Sequence, residues 1–122
     1  MLVHKHLIVR AEIKKPIVDE TQAVDWVKQL IDKIGMKVLM GPYAKYLDVA
    51  GNRGITVAAI IETSHIAMHV WDESDPALMQ LDVYTCGPLD TSIIFKHIEQ
   101  FDPVKVEYKY LDREYGLTEV SI

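Results

Sequence analysis

Ile55-Thr56-Val57-Ala58-Ala59-Ile60-Ile61 runs into Glu62-Thr63-Ser64 and then into His65-Ile66-Ala67-Met68-His69-Val70-Trp71. The first segment is apolar and rich in β-branched residues, the composition of a buried strand, and the polar triplet after it reads as a hairpin connection. In the second segment successive side chains leave a strand on opposite faces, so Ile66, Met68 and Val70 point one way while His65, His69 and Trp71 point the other. A third strand, Leu78 to Thr85, follows the turn-prone Asp72-Glu73-Ser74-Asp75-Pro76. The three strands read as a meander.

Outward from the meander, His4 to Glu12 is β-favouring at its centre and stops at Lys14-Lys15-Pro16. Asp19 is a candidate N-cap. Ala23, Val24, Val27, Leu30, Ile31 and Ile34 recur at helical spacing before Gly35, which predicts a helix over Glu20 to Ile34 with Trp26 near the edge of its apolar stripe. Met36 to Met40 reads as a short strand, and Gly41-Pro42 as the turn into a loop that closes on Gly51-Asn52-Arg53-Gly54. Asp90 and Thr91 open a second helical stripe through Ile94, His97, Ile98 and Phe101. Val104, Val106, Tyr108 and Tyr110 then alternate with Lys105, Glu107, Lys109 and Leu111 in a half-exposed last strand, and Arg113 to Ile122 reads as a tail with local structure. The expected class is α+β: a single domain over 1–122, built as a two-layer α/β sandwich with a largely antiparallel sheet and two helices on one face.

Composition bounds the function without naming it. The chain has 122 residues, 49% hydrophobic and 25% charged, enough for one core. Its formal charge of −5 disfavours nucleic acid as a partner and suits a cationic small molecule. The single cysteine excludes an intramolecular disulfide, and the absence of a long apolar span points away from membranes, so a cytoplasmic location is expected. His4 and His6 share a strand face with no acidic or cysteine neighbour in sequence, and His97 reads as a helix-face residue, so no metal ligands are assigned.

Cys86 ends the third strand of the meander, where a strand pairing can deliver it to the neighbourhood of Ser64; a hydroxyl, imidazoles and a thiol together are a reactive combination. Ser64-His65, with His69 and Trp71 behind it and Asp82-Val83-Tyr84-Thr85-Cys86-Gly87 further on, resembles the short bacterial and archaeal type of S-adenosylmethionine decarboxylase, a pyruvoyl enzyme of polyamine synthesis. His6-Leu7-Ile8-Val9 and the Val104 to Tyr110 run also fit that family's layout.

The resemblance implies self-cleavage between Thr63 and Ser64. The Ser64 hydroxyl attacks the Thr63 carbonyl carbon, the amide becomes an ester, and loss of the Ser64 α-proton expels the upstream acid. The dehydroalanine left behind hydrolyses to a pyruvoyl group and ammonia. Because the amide-to-ester shift is uphill, a strained turn and donors on the developing oxyanion are required. By the same likeness Thr56 and His69 serve processing, and the pyruvoyl group is the electron sink for decarboxylation of S-adenosylmethionine toward spermidine. Cys86 returns a proton to the α-carbon, Tyr46 stacks on the adenine, Glu73 hydrogen-bonds the substrate, and the protein forms a homodimer. One departure stands out: the family carries glutamate immediately before the serine, whereas here Thr63 holds that place and Glu62 precedes it. Other readings therefore stay open: an unprocessed, catalytically silent homologue, a decarboxylase of another amino acid, or a zinc site of His65, His69 and Cys86. The last needs a helix, since on a strand the two histidines stand about 13 Å apart.

Overall fold

Over residues 3–122, which the computed structural model describes, the chain runs β1 (Lys5–Ile13), α1 (Glu20–Lys33), β2 (Val38–Leu47), β3 (Gly54–Ile61), β4 (Ser64–Trp71), β5 (Ala77–Thr85), α2 (Thr91–Ile98), a 3-10 turn (Glu99–Phe101), β6 (Pro103–Asp112) and β7 (Thr118–Glu119). All pairings are antiparallel, and the sheet order is β2-β3-β4-β5-β1-β6-β7. The meander of β3, β4 and β5 lies within it as the alternation requires. Both helices begin at carboxylate caps: Asp19 accepts from the Gln22 amide at 2.9 Å and Asp90 from the Ser92 amide at 3.0 Å.

One face of the sheet is dry. Leu7, Val9 and Ala11 of β1, Val57 and Ile61 of β3, Ile66 and Met68 of β4, and Leu81 and Val83 of β5 form a single buried cluster with Val27 and Leu30 of α1 and Ile94 and Ile98 of α2. Both helices therefore cover the same face, and burial worth about 1.5–3 kcal/mol for each such side chain holds them there more firmly than their intrinsic propensity. The other face carries Ile8, Arg10, Thr56, Ile60, His69 and Gln80 in exposed positions and His65, Asp82 and Tyr84 half-buried. Gly54 lets β3 approach β4 closely, because a Cβ there would meet the Val70 carbonyl oxygen at 1.9 Å.

Two expectations need correction. Gly41-Pro42 does not end the strand: β2 runs on to Leu47 through two register shifts, which an edge strand tolerates because the proline has no ladder hydrogen bond to donate. Trp26 is not at the margin of its helix but 3% exposed, packed against Phe101 and stacked on His97 with ring centroids 4.4 Å apart. The tail carries the local structure expected of it as a short strand, β7, paired to β6 at Leu111 and Asp112.

His97 is locked between the helices. Its Nε2 bonds to the Trp26 carbonyl at 2.8 Å, which requires the proton on Nε2, and its Nδ1 accepts from Gln100 at 2.9 Å and lies 3.3 Å from Lys33 Nζ. Burial, reinforced by the Lys33 charge, pushes its pKa below the ordinary value despite the opposing pull of the Trp26 carbonyl. The unfolded chain thus takes up a proton that the folded one resists. The stability from this group is fully present above the unfolded pKa near 6.5 and is lost as pH falls from there through the lower folded value. Denaturant titrations from pH 8 to pH 5 should show the wild type losing stability on acidification more steeply than His97→Gln. Parallel curves would contradict this assignment.

Candidate active site

The turn that joins β3 to β4 is Glu62-Thr63, and β4 opens on Ser64 opposite Ile61 on one side and Thr85 on the other. Ser64 has φ of 145°, a region that L-residues avoid. The carbonyl before it is not idle: the Cys86 amide donates to the Thr63 carbonyl oxygen at 2.7 Å. Around this contact the Thr63 hydroxyl donates to Met36 Sδ at 3.0 Å and accepts from the buried Thr85 hydroxyl at 3.2 Å, and Thr85 Oγ1 in turn accepts from the Gly87 amide at 3.0 Å. The Glu62 amide donates to the Lys37 carbonyl at 2.9 Å. The peptide bond between Thr63 and Ser64 is thus held from both flanks, with a backbone donor already on its carbonyl.

A second cluster lies at the far end of β4. Thr56 and His69 face each other across the β3–β4 ladder, with Thr56 Oγ1 2.9 Å from His69 Nδ1. The His69 ring stacks on Trp71, centroids 5.5 Å apart and 19° between planes, and Trp71 Nε1 donates to Asn52 Oδ1 at 2.8 Å. These residues and Gly54 line a cleft of about 250 Å³. His69 is five residues along the strand from Ser64, about 16 Å, so within one copy the structure brings Ser64, Thr63 and Cys86 together, and Thr56 with His69, but not the two groups with each other.

Residues 5–114 match the S-adenosylmethionine decarboxylase family as a whole. A curated S-adenosylmethionine decarboxylase proenzyme of Pyrobaculum aerophilum is 35% identical over 101 residues, covering 80% of this chain and 77% of that protein. Its counterpart in Pyrobaculum arsenaticum is 44% identical over 64 residues, about half of each chain. The chain belongs to the S-adenosylmethionine decarboxylase family. The crystal structure of the adenosylmethionine decarboxylase from Aquifex aeolicus superposes with a TM-score of 0.66 over 99% of this chain and 97% of that one at 20% identity, which bears on the fold alone. No helix among the described residues is long and apolar enough to cross a membrane.

Tyr46 and Glu73 each hold polar partners on the segments beside Trp71 and Asn52. Tyr46 pairs with the buried Ile55 and packs against the core, so its ring is on the helix side of the sheet, the reverse of His69. Its hydroxyl donates to Asp72 at 2.8 Å, a bond that pushes the phenol pKa up. Glu73 spends both oxygens on the β2–β3 loop, accepting from the Arg53 amide at 2.9 Å and the Gly51 amide at 3.2 Å, and those two donors hold its carboxyl below the usual range. Sequence reading missed Thr85, whose only signal was a hydroxyl at the buried parity of a strand, and Asp82, which the β1–β5 pairing carries to His6. The zinc reading through His65, His69 and Cys86 is not supported, because the two histidines share strand β4 four residues apart. If Glu73 is the clamp of this loop, Glu73→Ala should speed hydrogen exchange at the Gly51 and Arg53 amides while leaving exchange in β5 unchanged; undiminished protection at both amides would show that the loop is held by other means.

Proposed function

We propose that this chain is a proenzyme that cleaves itself between Thr63 and Ser64 and then decarboxylates S-adenosylmethionine on the way to spermidine. The observation that carries the reading is the condition of one peptide bond, strained at Ser64 and polarised at the Thr63 carbonyl by the Cys86 amide. Strain of this kind raises the amide by about 1–3 kcal/mol, and a donor already aimed at the oxygen needs no reorganisation when negative charge develops there. Together they lower an uphill step from both ends. The proenzyme names of the Pyrobaculum relatives support the same reading.

In this account the Ser64 hydroxyl adds to the Thr63 carbonyl carbon, and the Cys86 amide takes the charge on the oxygen. Collapse breaks the C–N bond, leaving an ester and a free Ser64 amine. Removal of the Ser64 α-proton then expels the Thr63 carboxylate. The base is His69: if its Nδ1–H is given to Thr56 Oγ1, the Nε2 lone pair is left to accept. A pyruvoyl group at position 64 would supply the electron sink for decarboxylation. Cys86 Sγ holds the proton that returns to the α-carbon.

His69 is too far from Ser64 in one copy to act there, and this distance argues for a homodimer. A second copy laid antiparallel across the uncovered face sets the Thr56–His69 end of one chain against the Ser64–Cys86 end of the other. Each dimer then holds two composite sites, and the exposed Ile8 and Ile60 leave water.

Both claims are tested together by variants. Ser64→Ala and His69→Ala should each abolish cleavage when expressed alone. Co-expressed, they should restore cleavage of the His69→Ala chain alone, since its Ser64 meets an intact His69 in the mixed dimer. Cleavage of Ser64→Ala would overturn the self-processing account. Failure of the mixture would overturn the composite site.

A further inference from the structure

The uncovered face holds a group of side chains that the proposed chemistry does not use. His6 of β1 and His65 of β4 both stand opposite Tyr84 of β5, one on each side, and Asp82 projects from β5 on the same face two residues away. One donor atom from each of His6, His65 and Asp82 lies within 4.8 Å of the other two. Asp82 Oδ1 bonds to His6 Nε2 and is 4.0 Å from His65 Nε2. Three adjacent strands thus converge two imidazoles and a carboxylate on one point.

We propose that His6, His65 and Asp82 form a binding site for a divalent transition-metal ion, zinc above all. Two neutral imidazoles and a carboxylate are a borderline-soft donor set of the kind zinc takes with a fourth position left open. With ligand bonds of about 2.0–2.1 Å, tetrahedral donors stand about 3.3 Å apart, so the widest pair has to close by about 1.5 Å while the hydrogen-bonded His6–Asp82 pair opens to admit the ion. The His65 ring can supply that movement: its side chain is 42% exposed, and among the described residues no hydrogen bond holds it. The open position faces away from this chain's core, onto the face that the proposed second copy would cover, where trapped water or an exchangeable ligand completes the shell. This assignment replaces the expectation that His6 lacks an acidic partner, and it does not depend on the decarboxylase reading.

Arg113 opposes the ion. Its Nη1 lies 3.2 Å from His6 Nδ1, and its guanidinium carbon is 3.9 Å from the centre of the Tyr84 ring. A guanidinium only donates, so His6 Nδ1 accepts and Nε2 keeps its hydrogen, which goes to Asp82. A metal at Nε2 displaces that proton to Nδ1, and Arg113 must then turn away. Removing Arg113 therefore favours the ion twice, by deleting a like charge and by freeing the tautomer that ligation needs.

The test is calorimetric titration of the untagged chain with zinc chloride in a buffer that does not chelate. The expected result is one equivalent bound per chain, with affinity reduced in His65→Ala and in Asp82→Asn by about 100-fold or more, the upper end of what loss of an outer-shell partner alone costs. Arg113→Ala should bind tighter, by about threefold or more. Cys86→Ala and His69→Ala should bind as the wild type does. His65 is the partly exposed ligand, so its variant is the one least exposed to misfolding, and circular dichroism before titration verifies the fold. Absence of saturable binding, wild-type affinity in His65→Ala, or loss of binding in Cys86→Ala instead would each overturn the proposal.

Discussion

The hydrogen bond from the Cys86 amide to the Thr63 carbonyl ties the end of β5 to the turn before β4, and the arrangement of the reactive end rests on it. It fixes the carbonyl that precedes Ser64, closes the ladder at the Ser64–Thr85 pair, and keeps the Cys86 residue beside position 64. The buried chain of Gly87 amide, Thr85 hydroxyl, Thr63 hydroxyl and Met36 sulfur backs it from the core side. Such a network tolerates little movement, because each buried polar group that loses its partner costs about 1–3 kcal/mol. Held this way, Ser64 keeps a backbone conformation that it would leave if released.

That network also gives a physical meaning to the residue that departs from the family pattern. Thr63 points its hydroxyl inward to Met36 and Thr85, and its methyl group lies near Gly87, whereas Glu62 beside it is exposed. The acidic residue of this turn, Glu62, therefore stands on its solvent side. The backbone carbonyl, which is what cleavage requires, keeps its donor regardless of the side chain.

Most of the fold was legible because two periodicities carried it. Alternation set the faces of β1, β3, β4 and β5, and the 3.6-residue stripes set both helices, whereas β6 is exposed on both parities from Val104 to Lys109. The failures share a cause. Gly41-Pro42 looks like a turn wherever local propensity decides, but β3 offers pairing partners on both sides of it, and tertiary pairing wins on an edge strand. Trp26 was misplaced because the ring that buries it, His97, comes from a helix far along the chain. At the site, the serine, the imidazole and the thiol were all recognisable as types, yet their grouping was not: Thr56 finds His69 and Thr63 finds Cys86 only through register, and nothing local says that the two pairs stand at opposite ends of one strand. The parity of Tyr46 was equally illegible, since it depends on the register of an irregular edge strand, and one residue in either direction would have put its ring on the other face.

An uncovered sheet face carries a hydrogen-bonded threonine–histidine pair at one end and a strained serine at the other, and self-processing requires that this serine be consumed. The intact mass of the purified wild-type chain decides it. The account predicts two fragments that divide between Thr63 and Ser64, the second lighter than a serine-ended peptide by the mass of ammonia. A single uncleaved chain, or a second fragment that still begins with serine, would contradict it.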